Sequence, residues 1–132
     1  MFLVDTSVWI EVFRRPSRLQ LGSVADLDEV VTCLPVIQEV LQGFLEEHAF
    51  RIAREAMFAL PVLESPVSRE VFEEAAQLYR VARRSGVTVR SGADCLIAAC
   101  AIRHGIPVLH YDRDFTLLAQ VSSLKEQRIS VV

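Results

Sequence analysis

Lysine is all but missing from this sequence: of 14 basic residues only Lys125 is a lysine, the rest being arginine. Arginine's planar fork suits phosphate oxygens, but coding bias explains the skew equally well, so it excludes little by itself. Basic residues are also outnumbered, 14 against 17 acidic, giving a net charge of −3. That balance predicts no broad basic face of the kind that grips nucleic acid through phosphates alone, and any such contact has to be local. Cysteine is scarce and unpatterned. Cys33, Cys95 and Cys100 form no CxxC pair, and an odd number argues against a disulfide framework. They read as small core residues in a reducing compartment. Long apolar runs are absent too: nothing approaches the roughly 18 residues of a membrane-spanning helix. Met1-Phe2-Leu3-Val4 meets Asp5 at once, which leaves no basic region, apolar run and cleavage site for a secretory signal. A cytoplasmic location with no membrane association is expected.

What is present suits one compact unit. With 132 residues, 52% of them hydrophobic, the chain is long enough for a single core, and one domain is expected over residues 1–132. No internal repeat, low-complexity tract or linker interrupts it. Phe2-Leu3-Val4 is wholly apolar and stops at Asp5, as a strand buried on both faces of a parallel sheet does. A helix starts at Val8-Trp9-Ile10, and Leu19 to Asp28 holds a short helix or turn. Glu29 to Leu34 reads as a second, β-branched strand. Pro35 suits the first turn of a helix from Val36 to about Glu47, with Val36, Ile37, Val40, Leu41 and Phe44 as its core stripe. A further amphipathic helix spans His48 to Leu60, and Pro61-Val62-Leu63 forms a short strand or extended link. Ser68 is placed to cap a helix from Arg69 to Arg84, whose positions Val71, Phe72, Ala75, Leu78, Tyr79 and Ala82 keep helical spacing and need no chemistry to explain them. After Asp114 come a short helix, Phe115 to Val121, and a terminal strand, Ile129 to Val132. Strands alternating with helices predict an α/β sandwich around a parallel sheet.

The stretch from Arg90 to Phe115 organises this pattern. Ser91 suits an N-cap, Gly105 the left-handed residue that ends a helix, and Pro107 forbids its continuation. The residues between, Cys95 to Ile102, are apolar on every side, so the helix is expected to be buried. The apolar segment Val108 to Tyr111 follows and runs into Asp112 and Asp114. In a parallel α/β sheet functional groups collect where strands end and helices begin. Asp5, Glu39, Asp94, Asp112 and Asp114 all fall at such places. Each also has a bland reading: Asp5 as a cap, Glu39 as a helix-dipole partner, Ser91-Gly-Ala-Asp94 as a capping box, and the last pair as a polar turn.

Convergence decides between these readings. Two like charges about 4 Å apart in a partly buried site repel by roughly 4 kcal/mol, so several carboxylates together protonate, destabilise the fold, or hold a divalent cation. All-oxygen ligands without a His or Cys set favour Mg²⁺ or Mn²⁺ over Zn²⁺. Such a site suits phosphodiester hydrolysis, because a bound cation acidifies water, orients phosphate and offsets charge on the attacking and leaving oxygens. Thr6 or Ser7 is placed to hydrogen-bond a carboxylate or water there. His48, His104 and His110 lack partners for a metal-free nuclease; His110, at a strand end near Asp112, is the least dismissible, yet a structural role is favoured.

Taken together, Val4-Asp5-Thr6-Ser7-Val8-Trp9, Glu39 behind Pro35, the run Ala93 to Ala99, and His110-Tyr111-Asp112-Arg113-Asp114-Phe115 resemble the PIN-domain ribonucleases, and more closely the VapC toxins of bacterial type II toxin–antitoxin pairs. The resemblance covers nearly the whole chain in the right order. It implies a three-layer α/β/α fold with a mainly parallel central sheet, and Mg²⁺- or Mn²⁺-dependent endoribonuclease activity on structured RNA such as tRNA or rRNA. It also implies a homodimer and a small VapB-type antitoxin whose tail covers the acidic pocket. Carried over by position, Asp5 and Asp94 are direct metal ligands, Glu39 a ligand or base, and Asp112 and Asp114 alternatives for a further ligand. Thr6 and Arg90 are candidates for contact with the RNA. Apolar Trp9, Val12 and Phe13 beside Arg14 and Arg15 offer a surface for an amphipathic antitoxin segment, a core role being at least as natural for Trp9 and Phe13. Two rival functions remain: a non-catalytic PIN-like module that binds RNA or protein, and a phosphatase of small phosphoesters. The second is disfavoured because no D-x-D follows the first strand.

Overall fold

The structure, a computed structural model, describes residues 1–131. Five parallel strands form its sheet in the order β3-β2-β1-β4-β5: β1 is Phe2–Val4, β2 Val30–Cys33, β3 Val62–Leu63, β4 Val108–His110 and β5 Glu126–Arg128. The central three are almost wholly buried, with Thr32 and His110 their only polar residues, because helices cover both faces. Six α-helices supply those layers: α1 Thr6–Phe13, α2 Leu34–Gln42, α3 Glu47–Phe58, α4 Arg69–Arg84, α5 Gly92–His104 and α6 Arg113–Gln120. From β1 the chain builds outward through β2 to β3, then crosses back to place β4 on the other side of β1. The handedness of parallel crossovers puts the helices after β1 and β2 on one face and those after β3 and β4 on the other.

Local chemistry sets most boundaries. Ser91 caps α5 by accepting from the Ala93 N–H at 3.2 Å, and Gly105 ends it with φ 64°, where a side chain is strained. Between them Cys95, Ile97, Ala98, Ala99, Cys100 and Ala101 are buried, so α5 is the interior helix its composition predicts. Leu3, Val4, Val31, Leu109, Ile97 and Phe115 meet in the core with no exposure; full burial of each contributes roughly 1.5–3 kcal/mol. Cys33, Cys95 and Cys100 are free and buried.

The expected elements hold with three corrections of their bounds. The helix after Pro35 ends at Gln42, not near Glu47: Gly43 caps it, and Glu46 starts α3 by accepting from the His48 and Ala49 N–H groups. Helix α6 begins at Arg113, two residues before Phe115, because Asp112 caps it through the Asp114 N–H. The last strand is Glu126–Arg128; Ile129 to Val131 follow it without strand structure, and Val132 lies outside the described residues. On α4, Val71, Ala75, Leu78 and Ala82 face the core, but Phe72 and Tyr79 are 53% and 37% exposed.

Candidate functional site

The strand order reverses direction between β1 and β4. Ligands of open parallel sheets bind in the crevice outside the carboxyl ends of such a pair, where diverging connections leave a gap. Asp5 directly follows β1, Asp112 and Asp114 follow β4, and Asp94 opens the helix that precedes β4.

Asp94, Asp112 and Asp114 each offer an oxygen such that all three atoms lie within 4.8 Å of one another. Asp94 and Asp114 are buried and Asp112 half-buried. Burial first, a hydrogen bond shared with Asp114 second, and the charges of Asp5, Asp112 and Asp114 together push the Asp94 carboxyl up to about 9. Ser91 caps α5 through its hydroxyl, while the Asp94 carboxyl is turned to Asp114, so the capping-box reading of Asp94 gives way to the convergent one.

Asp5 stands beside this trio and outside it. Its Oδ2 caps α1 by accepting from the Ser7 N–H at 2.9 Å and also accepts from the Ser7 hydroxyl. That hydroxyl in turn accepts from the Tyr111 N–H at 2.9 Å, so Ser7 ties the exit of β1 to the exit of β4. Burial, opposed by those bonds and assisted by the charge of Glu39, raises the Asp5 carboxyl to about 6. Glu39 is held by Thr6, whose hydroxyl donates to Oε1 at 2.9 Å. It too lies outside the trio, one step further along the rim.

Arg90 is engaged with the acids. Its guanidinium donates to Asp112 Oδ1 at 3.2 Å and stands 3.8 Å from Asp114 Oδ1, while its own N–H donates to Asp114 Oδ2 at 3.1 Å. The side chain is nevertheless 61% exposed. Arg90, expected as an RNA contact, is thus also a partner of the acids, a role that its place just before the cap of α5 makes possible. His110 has no exposure. Its Nδ1 accepts from the Asp112 N–H at 3.2 Å, its Nε2 faces Glu126 at 3.4 Å, and its ring packs on Phe115. Burial holds the imidazole below its ordinary pKa, so it is a neutral spacer that fixes the Asp112 backbone. His104 pairs with Glu64 away from the rim, and His48 is exposed in the first turn of α3.

The donor set fits a hard divalent cation. Asp5 Oδ1 and Asp114 Oδ1 are buried oxygens without a hydrogen-bond partner, which is unfavourable for carboxylates unless a cation satisfies them. Octahedral Mg²⁺ at about 2.0–2.1 Å from its oxygens keeps neighbouring ligands about 3 Å apart, and the trio's oxygens, all within 4.8 Å of one another, are close enough to meet on one ion after a modest closing of the site. No histidine or cysteine belongs to the trio, so its donors are oxygens alone, the kind that hard divalent cations take.

Fold and site together define a parallel α/β protein that gathers carboxylates at the switch point of its sheet. The chain belongs to the PIN-domain family, which it matches over residues 2–121, and within it to the group of the VapC ribonucleases. It is 38% identical over 130 residues to ribonuclease VapC11 of Mycobacterium tuberculosis, covering 95% of this chain and 96% of that one. To ribonuclease VapC51 of the same organism it is 31% identical over 121 residues, 92% and 87% of the two chains. Among solved structures, VapBC-5 of the VapBC toxin–antitoxin family from Mycobacterium tuberculosis superposes with a TM-score of 0.72 at 25% identity, over 97% and 98% of the chains. VapBC2 from Rickettsia felis, bound to a promoter DNA fragment, gives 0.78 at 12% identity over 98% of each, a likeness of fold alone. No helix among the described residues is long and apolar enough to cross a membrane.

Proposed function

We propose that this chain is a Mg²⁺- or Mn²⁺-dependent endoribonuclease toxin that hydrolyses phosphodiester bonds in structured RNA, tRNA or rRNA, acting in the cytoplasm as a homodimer and silenced by a small VapB-type antitoxin. The observation that carries the reading is the meeting of Asp94, Asp112 and Asp114 at the switch point with Asp5 beside them. The identity to VapC ribonucleases supports the substrate class.

Asp94 and Asp114 are the buried carboxylates that would hold the cation. Asp5 completes the set with its unpartnered Oδ1, and Asp112 serves more as the cap of α6 and the partner of Arg90. A divalent cation held by these residues would supply an acidified water and charge to offset that of the phosphate. Thr6 occupies Glu39 Oε1, so Oε2 is the Glu39 oxygen that would accept a proton from water at the site. Ser7 keeps Asp5 and the β4 exit in register while that happens.

The antitoxin surface lies between α1 and α2. Trp9 is buried there, as the core reading has it, and Phe13 is half-buried against Trp9 and Phe44. With Ile10, which is 52% exposed, and Arg14 they line a depression of about 230 Å³ suited to the apolar side of an amphipathic segment.

The direct experiment replaces Asp5 or Asp94 by Asn and follows RNA cleavage with and without Mg²⁺. Loss of cleavage in both variants, and in EDTA, is expected; undiminished cleavage in either condition overturns the reading.

A further inference from the structure

Phe72 and Tyr79 sit on α4 at positions whose spacing fits a core-facing stripe, yet both rings are open to solvent. Large exposed rings in one place mark a binding surface more often than scattered ones do. They line a hollow of about 710 Å³ between α4 and α5, together with Arg80, Arg90, Ala93 and Cys95. Ala93 and Cys95 flank Asp94 in the chain, and Arg90 is bonded to Asp112 and Asp114, so the wall of this hollow is built from the immediate neighbours of the carboxylates. Phe72 and Ala93 also border a second hollow of about 440 Å³, with Glu39 on its wall. In the other direction Arg80 is shared with a third, of about 380 Å³, made with Arg83 and Arg84. Shared wall residues set the three side by side along α4 as one trough: arginines at the α4 C-terminus, the two rings in the middle, and Glu39 at the other end.

Arg83 and Arg84 have a structural reading, since cations suit the last turn of a helix. That reading leaves Phe72 and Tyr79 unexplained. In a chain of net charge −3, three arginines along one groove that leads to a cation-type site form a local complement to phosphates. Exposed rings beside them complement unstacked bases. Arginine contacts to the backbone interleaved with aromatic platforms are how proteins hold single-stranded nucleic acid.

We infer that this trough seats a single-stranded segment of the RNA, with Arg80, Arg83 and Arg84 on its phosphates and Phe72, flanked by Tyr79, stacking on a base next to the bond at the carboxylates. The inference rests on the proposed nuclease reading and adds the path by which substrate reaches the site. Phe72 and Tyr79 are then positioning residues for a loop or unpaired stretch, and a fully paired helix is excluded because its bases are not free to stack.

The test measures binding of a short fluorescent single-stranded RNA to Asp94→Asn protein, chosen so that the RNA stays intact, across a salt series. Adding Phe72→Ala is expected to weaken binding about ten-fold without changing the salt dependence, and Phe72→Trp to restore it. Adding Arg83→Ala and Arg84→Ala together is expected to lower the slope of log affinity against log salt by about 0.7 for each phosphate that is no longer neutralised. Unchanged affinity in Phe72→Ala, or an unchanged slope in the arginine variant, overturns the trough. So does a Phe72→Ala protein that binds RNA normally and loses only self-association in sedimentation, since the face then belongs to a protein partner. Thermal melts verify folding, and exposed Phe72 is replaceable without opening the core. Metal-dependent cleavage by the unmodified protein is assayed separately: its absence removes the nuclease reading and leaves the binding result to stand or fall by itself.

Discussion

Thr6 and Glu39 are joined by a 2.9 Å hydrogen bond between side chains 33 residues apart in sequence. Thr6 is the first residue of α1 and Glu39 lies in the second turn of α2, so the bond pins two helices at the rim and engages one of the two Glu39 oxygens. Removing the hydroxyl with Thr6→Val frees the carboxylate to wander. Cleavage is expected to fall by about 10- to 100-fold, the usual effect of losing a partner that orients a reactive group. Thr6→Ser keeps the rate, and a melting curve separates this effect from unfolding.

The trio of acids makes the metal-free protein sensitive to pH. The Asp5 and Asp94 carboxyls sit near 6 and 9 against an ordinary value of 3.8. The folded state therefore holds protons that the unfolded chain has released. Folded carboxyls with raised pKa values favour folding below the ordinary value, and that advantage fades as pH climbs through 6 toward 9. In EDTA the melting temperature is expected to drop across this window, and saturating Mn²⁺ to restore it. Asp94→Asn flattens the metal-free profile and melts several degrees higher at pH 8. A profile in EDTA that rises from pH 5 to 8 sinks this account.

Arg90 holds the place of a counter-ion to Asp112 and Asp114. A divalent cation competes with it for the same carboxylates. Arg90→Ala is expected to bind Mn²⁺ about five-fold more tightly in titration calorimetry, equivalent to about 1 kcal/mol for a largely exposed, screened charge. RNA cleavage by the variant shows a raised KM, because the guanidinium released by the cation is then absent from the phosphate. Weaker Mn²⁺ binding instead means that Arg90 orders the acids more than it repels the ion.

Leu109 and Leu45 bracket the range of a leucine's worth in this fold. Leu109 lies in β4 with no exposure, and Leu45, between α2 and α3, is 100% exposed. Leu109→Ala is expected to destabilise by about 2–5 kcal/mol through the forfeited transfer energy and a cavity. Leu45→Ala changes stability by less than about 0.5 kcal/mol. Urea titrations of the two variants measure both.

The central strands and α5 were legible because burial writes itself into composition: Phe2-Leu3-Val4 and Val108-Leu109 are apolar at consecutive positions, which fills both faces of a strand, and Cys95 to Ile102 leave no polar face on a helix. The carboxylates were legible as positions at strand ends, and their family pattern named them before geometry did. Edges were harder. Strand β5 is Glu126-Gln127-Arg128, polar because an edge facing water is protected by charge, so an apolar tail just beyond it looked more strand-like. The end of α2 was blurred because Gly43 and Phe44 continue its stripe by one turn. Which acids touch was also beyond the letters. Asp5, Asp94, Asp112 and Asp114 look equivalent at rim positions, yet side-chain geometry draws three of them together and sets Asp5 a step aside under Ser7. The exposure of Phe72 and Tyr79 was hidden for a related reason: α4 is wide enough in apolar residues that spacing alone does not say where its neighbour ends.

Strands β1 and β4 are neighbours in the sheet, yet more than a hundred positions of chain separate Leu3 from its partner Val108. A polypeptide still emerging from the ribosome carries Asp5 long before Asp112 and Asp114 have been translated. Under the proposed activity it is harmless to the RNA around it for most of its own synthesis, and becomes competent only once β4 has been released and has folded against the first strand.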